Sequence, residues 1–363
     1  MKPKSRNHEI TKSRNDFVFS AEWEPHAATW IAWPHNRNDW PGKFAPIPWI
    51  YADIVRQLTR GEHVCIVVND AVHQKAAERT LKQAHVPLDQ VEFHRWKTDR
   101  VWTRDSGPIF VRDRRSSKLI AMHWQFNGWA KYPNYKNDEK LPTLIAKKLG
   151  TGSCQPTVEV DGKQRRIVLE GGSIDSNGRG TLLTTEECLL SDVQERNPGM
   201  DRESVEEAFA QYLGIRKTIW LDKGIAGDDT HGHVDDIARF VAPDTVVAAV
   251  ERNTSDPNHA PLEENLRRLR RSTDQDGKPL KIIELPLPSP VWFRGQRLPA
   301  SYANFYIGNA VVLVPTFNDL HDRLALNTLA ELFPNRDVVG IYCGDFIWGL
   351  GAIHCATQQQ PVS

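Results

Sequence analysis

No uninterrupted apolar stretch in the sequence approaches the ~20 residues a membrane-spanning helix needs, so no transmembrane span is expected. Cysteine is scarce. Cys65, Cys154, Cys188, Cys343 and Cys355 are the only five, widely scattered, with no CxxC pair. That disfavours a disulfide framework and a zinc-thiolate site, and it suits a reducing cytosol. Net charge is absent too, with 46 Lys plus Arg against 46 Asp plus Glu. No global field draws the chain to nucleic acid or an anionic membrane. Glycine-rich phosphate loops of the GxGxxG or GxxxxGKS type are missing, which argues against a nucleotide-binding doubly wound sheet. Met1–Ser20 is polar and lacks the apolar core of a secretory signal. The expectations are a cytoplasmic protein, a flexible extension over residues 1–16, and one domain over 1–363.

What is present is ordinary globular material, 40% hydrophobic and 25% charged over 363 residues, enough to bury a substantial core. Twelve tryptophans is a high number. Most read as core or rim aromatics, and a few are candidates to face a flat cation.

Helical and extended patterns alternate. Helices are predicted over 49–60, 71–84, 141–149, 203–213, 262–271 and 324–332. Strands are predicted over 64–68, 91–93, within 166–169, and over 181–184, 218–221, 245–250, 281–285, 310–314 and 338–342. Gly61, Gly150 and Gly214 fall just past helices, where left-handed caps belong. The pattern is α/β, in small repeated units that must share a core.

Four glycine-containing segments carry the polar groups that can do chemistry. They are Trp102–Pro108, Leu169–Ser173, Gly227–Asp236 and Gly349–Gln360. Each adjoins a predicted strand, where loops present functional side chains on a rigid scaffold. Cys355 follows a glycine-rich turn and precedes a Thr-Gln-Gln-Gln run that does not read as a core strand. It is the best nucleophile candidate, although a lone cysteine is more often a small core residue. Cys65 and Cys343 read as core, Cys188 as structural and Cys154 as a loop thiol. His233 is the best acid/base, with Asp235 two residues on and on the same side if extended. Asp228, Asp229, His231, His233 and Asp235 are also an alternative metal cluster, a weaker reading at that spacing. Asp105 and Glu170 add carboxylates. Bland roles exist for both: an ion pair with Arg100 or Arg104 for Asp105, and a turn-closing acceptor for Glu170. Several acids with a thiol and an imidazole suit attack on a planar cationic carbon, since a guanidinium offers five N–H donors.

Taken together the motifs resemble the agmatine deiminase family, grouped with bacterial-type peptidylarginine deiminases among guanidine-modifying enzymes. The resemblance runs from Ala21–His26 and Trp30–Pro34 through the first two of those segments and Leu182–Leu190. It continues through Gly232–Asp235 and Ser301–Tyr306 to Ile353–Cys355 and Thr357–Pro361. It implies a five-unit α/β propeller with pseudo-fivefold symmetry and a central site that uses neither metal nor cofactor. It implies Cys355 as nucleophile, His233 as acid/base, and Glu170 beside them. Asp105 and Asp235 are the implied guanidinium-binding acids and Trp102 an aromatic wall. Asp228 and Asp229 are expected near the distal end of the substrate. The sequence departs from the family at 349–352, Ala356, His231 and 291–294.

The implied reaction is hydrolysis of a guanidino compound, agmatine to N-carbamoylputrescine and ammonia, through a covalent thiouronium on Cys355. The partner is then a small cationic guanidino substrate, with no nucleic acid and no membrane, and a homodimer is left open. Rivals are arginine or peptidyl-arginine as substrate, an amidinotransferase, and a non-catalytic guanidino-binding protein. Arg294 and Arg297 weigh against agmatine if either reaches the pocket.

Overall fold

The computed structural model describes residues 16–160 and 162–362. The expected extension over 1–16 lies outside them except for Asp16. The chain is mixed α/β, built of several small sheets.

One order recurs: a strand, an antiparallel second strand, a helix, then a third strand parallel to the second. Ile109–Asp113, Leu119–Met122, helix Leu141–Leu149 and Gly152–Cys154 follow it. So do Asp175–Ser176, Thr181–Thr185, helix Arg202–Leu213 and Lys217–Leu221. Ala238–Ala242, Thr245–Val250, helix His259–Arg271 and Lys281–Pro286 repeat it. Tyr306–Ile307, Val311–Thr316, helix Asp322–Leu332 and Asp337–Tyr342 do so again. The remaining sheet has His26–Ala32, helix Ile47–Leu58 and His63–Val68, extended by helix Ala71–Gln83 and strand Val91–Arg95. Its antiparallel strand comes from the other end of the chain: Gln358–Pro361 pairs with His26–Ala32, Gln359 opposite Thr29.

The second strands are β-branched runs buried on both faces, such as Thr245–Val250, because a helix covers one side and neighbouring elements the other. Helices close where expected. Asp70 and Asp201 cap the N-termini of two of them through their carboxylates. Gly150 and Gly214 are left-handed C-caps at φ 64° and 70°. Gly61 is not left-handed; an added Cβ there would meet the Ala310 backbone nitrogen at 2.7 Å.

Two strand expectations need correction. The strand after helix Leu141–Leu149 is Gly152–Cys154, too short and polar to show periodicity, and the 166–169 region contributes Lys163–Arg166 to a separate hairpin. Residues 358–360 do form a strand, and a mostly buried one. Its glutamines each take a side-chain bond: Trp30 Nε1 donates to Gln360 at 3.0 Å, Arg104 to Gln359 at 2.6 Å, and Gln358 Nε2 donates to the Pro108 carbonyl at 3.0 Å, leaving Gln358 Oε1 the one unpartnered glutamine oxygen of the strand. Polar side chains with partners are tolerated in a core.

The core is rich in aromatics. Trp30, Trp40, Tyr51, Tyr306 and Phe346 are fully buried. Side chains of this class contribute roughly 1.5–3 kcal/mol each on burial.

Candidate active site

The functional side chains occupy equivalent places. Asp105 stands a few residues ahead of Ile109–Asp113, Glu170 ahead of Asp175–Ser176, and His233 and Asp235 ahead of Ala238–Ala242. Asn304 stands ahead of Tyr306–Ile307 and Cys355 ahead of Gln358–Pro361. Each is thus presented by the segment entering the first strand of a repeated unit.

These segments converge. Cys355 is buried, with Sγ 3.8 Å from Asp235 Oδ2. Asn304 Nδ2 donates to that sulfur at 3.2 Å and to Asp236 Oδ1 at 3.0 Å, while Asn304 Oδ1 accepts from the His354 backbone N–H at 3.0 Å. His233 lies opposite, Nδ1 3.8 Å from Asp105 Oδ1 and Nε2 3.7 Å from Glu170 Oε2. Gly172 lets them approach: a Cβ there would fall 2.6 Å from His233 Nδ1, 2.9 Å from Asp105 Oδ1 and 3.0 Å from Asp235 Oδ2. The Gly172 N–H also donates to Asp105 Oδ1 at 3.0 Å, and Trp129 Nε1 donates to Oδ2 at 2.9 Å. Neither bland role for the acids applies. Arg104 turns to Glu22 and Arg100 to Asp39. Glu170 closes its turn through its backbone carbonyl, and its Oε1 accepts from Arg196 Nε at 3.1 Å.

Several buried atoms remain without a hydrogen-bond partner: Glu170 Oε2, Asp235 Oδ1 and both ring nitrogens of His233. Unsatisfied buried acceptors of this kind are costly. A planar cation with five N–H donors is the complementary group.

The electrostatics follow. Burial, reinforced by Asp235, Asp236 and Asp105, pushes the Cys355 thiol well above its ordinary range. Burial opposes a charge on His233, but Asp105, Cys188 and Glu170 outweigh it and hold the imidazole above its usual value. Burial, with repulsion from Asp235 and Glu170, raises Asp105 to about 6 against the pull of His233. Burial also works against the Glu170 carboxylate, yet Arg196 and His233 bring it down to about 2. The resting arrangement is a neutral thiol facing an imidazolium across a cluster of carboxylates.

A cavity of about 120 Å³ opens onto Cys355 and Asp105, walled by Trp102, Trp129, Gly349, Leu350 and Gly351. Asp39, Arg100, Tyr132 and Asp229 also line it. The Asp229 carboxylate is paired with Lys131 Nζ and the Tyr132 hydroxyl, each at 2.6 Å. Asp228 is a correction. Its carboxylate faces its own loop, accepting from the Thr230, Gly232 and His233 backbone N–H groups, and it does not line the cavity. Arg294 and Arg297 do not line it either; Arg297 is held by Asp256 at 2.8 Å.

The Asp228–Asp235 metal reading also fails geometrically. Asp228 is taken up by backbone, and His231 Nε2 meets Ser191 Oγ at 3.1 Å. Among the described residues, His233 instead falls into a ligand-like group with Glu170 and Cys188; Cys65, Glu92 and His94 form a second. Cys188, read as structural, is thus set against Glu170 and His233. The family departures at His231 and Leu350 both sit at left-handed backbone, φ 63° and 66°. Histidine tolerates that region better than leucine does.

Residues missed by sequence reasoning are Glu22, Arg196, Asn304, His354, Trp129 and Cys188. All but Arg196 and Trp129 lie in the quoted motifs, so the signal was there without a role attached. His354 Nδ1 meets Asp235 Oδ2 and its Nε2 meets Glu22 Oε2, each at 2.7 Å. Arg104 and Arg239 hold Glu22 in turn.

Known proteins give the same family by three routes. Residues 18–361 match the Porphyromonas-type peptidyl-arginine deiminase family. A Mycoplasma capricolum protein named "Putative agmatine deiminase" is 33% identical, covering 99% of this chain and 100% of its own. The solved structure of the Enterococcus faecalis agmatine deiminase superposes with a TM-score of 0.85 at 30% identity, covering 97% and 98% of the two chains. A C. jejuni agmatine deiminase variant with substrate bound gives 0.82 at 25% identity, covering 95% and 96%. By profile, sequence and fold, this chain belongs to the agmatine deiminase family of Porphyromonas-type peptidyl-arginine deiminases.

Proposed function

We propose that the protein hydrolyses a small guanidino compound to a ureido compound and ammonia, with agmatine the first candidate and N-carbamoylputrescine the product. The observation that carries this reading is the set of unpartnered buried acceptors, Asp235 Oδ1 and Glu170 Oε2, beside a buried thiol. Asp105, Asp235 and Glu170 hold the guanidinium plane, and Trp102 packs along it. The arriving cation lowers the pKa of the Cys355 thiol, which releases its proton to solvent, so substrate generates the thiolate. Sγ attacks the guanidinium carbon. His233, already protonated, donates to the departing nitrogen, and ammonia leaves a thiouronium on Cys355. Water gives a proton to His233 and adds to the same carbon; the C–S bond breaks and the ureido product leaves. No step draws on a metal or cofactor.

The family's substrates come to this chain by likeness alone. Ammonia release measured with agmatine, arginine and peptidyl-arginine tests the reading, and no release from any of them overturns it. One observation favours arginine as a second reading. The cavity presents Arg100 beside Asp39, joined at 2.7 Å, while Asp39 Oδ2 and Arg100 Nε have no partner. Such a pair matches an α-amino and α-carboxylate end. The ratio of kcat/KM for agmatine to that for arginine decides between them.

The five units, we infer further, close into a propeller about a pseudo-fivefold axis. The pairing of the C-terminal strand with His26–Ala32 supports closure. A crystal structure with the sheets not disposed about one axis would overturn this. A cytoplasmic setting fits a chain in which no described helix is long and apolar enough to cross a membrane. Export of the native protein from the cell, shown by fractionation, would contradict it.

A further inference from the structure

We propose that Glu170, Cys188 and His233 form a binding site for a thiophilic divalent cation, with zinc the best match, and that its occupancy switches the reaction off. A thiol sulfur, an imidazole nitrogen and a carboxylate oxygen lie here within 4.8 Å of one another, all on buried residues. This donor set is the borderline-soft mixture that zinc prefers over magnesium or calcium.

The atoms are free to ligate. Glu170 Oε2 and both His233 nitrogens lack hydrogen-bond partners. Oε2 stands 3.7 Å from Nε2. Tetrahedral zinc, with bonds of about 2.0–2.3 Å, holds neighbouring donor atoms roughly 3.3–3.7 Å apart. The carboxylate and imidazole are thus already at a ligand spacing.

The supports are in place as well. Arg196 Nε fixes Glu170 Oε1 at 3.1 Å and leaves Oε2 facing the ring. Arg196 is itself held by the carbonyls of Gln194 and Thr230. The Cys188 N–H donates to the Thr185 hydroxyl at 3.0 Å, which sets where the thiol stands. Asp105, 3.8 Å from His233 Nδ1, adds negative charge on the far side of the ring. Supports of this kind orient metal ligands and raise affinity.

The ion takes the imidazole that would protonate ammonia, which is why occupancy stops turnover. The binding claim stands on geometry alone. Only the switching claim rests on the deiminase reading. The other ligand-like group, Cys65, Glu92 and His94, is weaker, because Glu92 is exposed and bonded to Lys148.

The test is titration of the full-length protein with Zn²⁺ by equilibrium dialysis, and with Co²⁺ by thiolate-to-metal absorption. Wild type and Cys355→Ser should each bind one ion with the thiolate band. Cys188→Ser and Cys188→Ala should bind at least roughly a hundredfold more weakly and lose the band. Wild-type ammonia release should fall with occupancy and return with a chelator. Unchanged affinity in both Cys188 variants overturns the site, as does loss of the band in Cys355→Ser, which would put the ion on the nucleophile. If neither Cys188 variant folds, the band in Cys355→Ser alone decides. Metal bound at this site in a protein that deiminates nothing would sink the functional reading and leave the site standing.

Discussion

The imidazole of His354 meets the carboxylate of Asp235 at 2.7 Å, and that same carboxylate oxygen lies 3.8 Å from the Cys355 sulfur. The other ring nitrogen meets Glu22 at 2.7 Å. His354 therefore bridges Glu22 to Asp235, the carboxylate beside the Cys355 sulfur.

His354→Ala leaves the buried carboxylates of Asp235 and Glu22 without their shared hydrogen-bond partner. Breaking a buried charge network this way typically costs about 3–5 kcal/mol. Denaturant unfolding of the variant should show a loss of that order. A loss below about 1 kcal/mol, the scale of a surface pair, would mean His354 does not hold the two carboxylates together.

Asn304 donates to Cys355 Sγ and, through Oδ1, holds the backbone entering the nucleophile. Asn304→Ala should lower kcat by roughly 10- to 150-fold, the scale of one hydrogen bond to a charged group, with KM moving far less. The pH profile of alkylation by iodoacetamide should shift to higher pH. A change in KM alone would place Asn304 with the substrate instead.

Asp105 must be ionised to hold a guanidinium, and burial raises it to about 6. The kcat/KM profile should therefore fall as pH drops through about 6. The sign for stability is opposite. An acid whose folded pKa is raised binds its proton more readily when folded, so Asp105 adds stability as pH falls from 6 toward its ordinary value. Glu170, brought down to about 2, adds stability above its unfolded pKa, which is lost only as pH falls toward 2. By pH 5 kcat/KM should thus have fallen to about a tenth while the thermal midpoint holds. Coincident loss of both would contradict the assignment.

Cys343 is fully buried in an apolar strand end, away from the cavity. Cys343→Ala should cost about 1–2 kcal/mol of stability and leave kcat within twofold, as a small core truncation does. A large fall in kcat at unchanged stability would show a role this account does not give it.

Much of the helical layout is legible in the sequence, because amphipathic periodicity and caps are local. The helix over 141–149 is found as predicted, and Gly150 and Gly214 close helices as left-handed caps. Gly152–Cys154 and Gln358–Pro361 escape because their register is set by distant partners. Cys355, His233, Asp105, Asp235 and Glu170 are legible as chemistry, and the structure brings them together. Asp228 misleads, because an acid near a catalytic histidine can as readily organise its own loop. Arg196 and Cys188 are invisible as site residues, since only tertiary contact sets them against Glu170 and His233.

The central claim is that Cys355 is the nucleophile of a guanidine hydrolysis. Ammonia release by Cys355→Ala with the best of the three substrates tests it most directly. The account predicts a fall of roughly ten-thousand-fold or more, the scale seen when a nucleophile is removed, with substrate still bound. A rate within tenfold of wild type would contradict it.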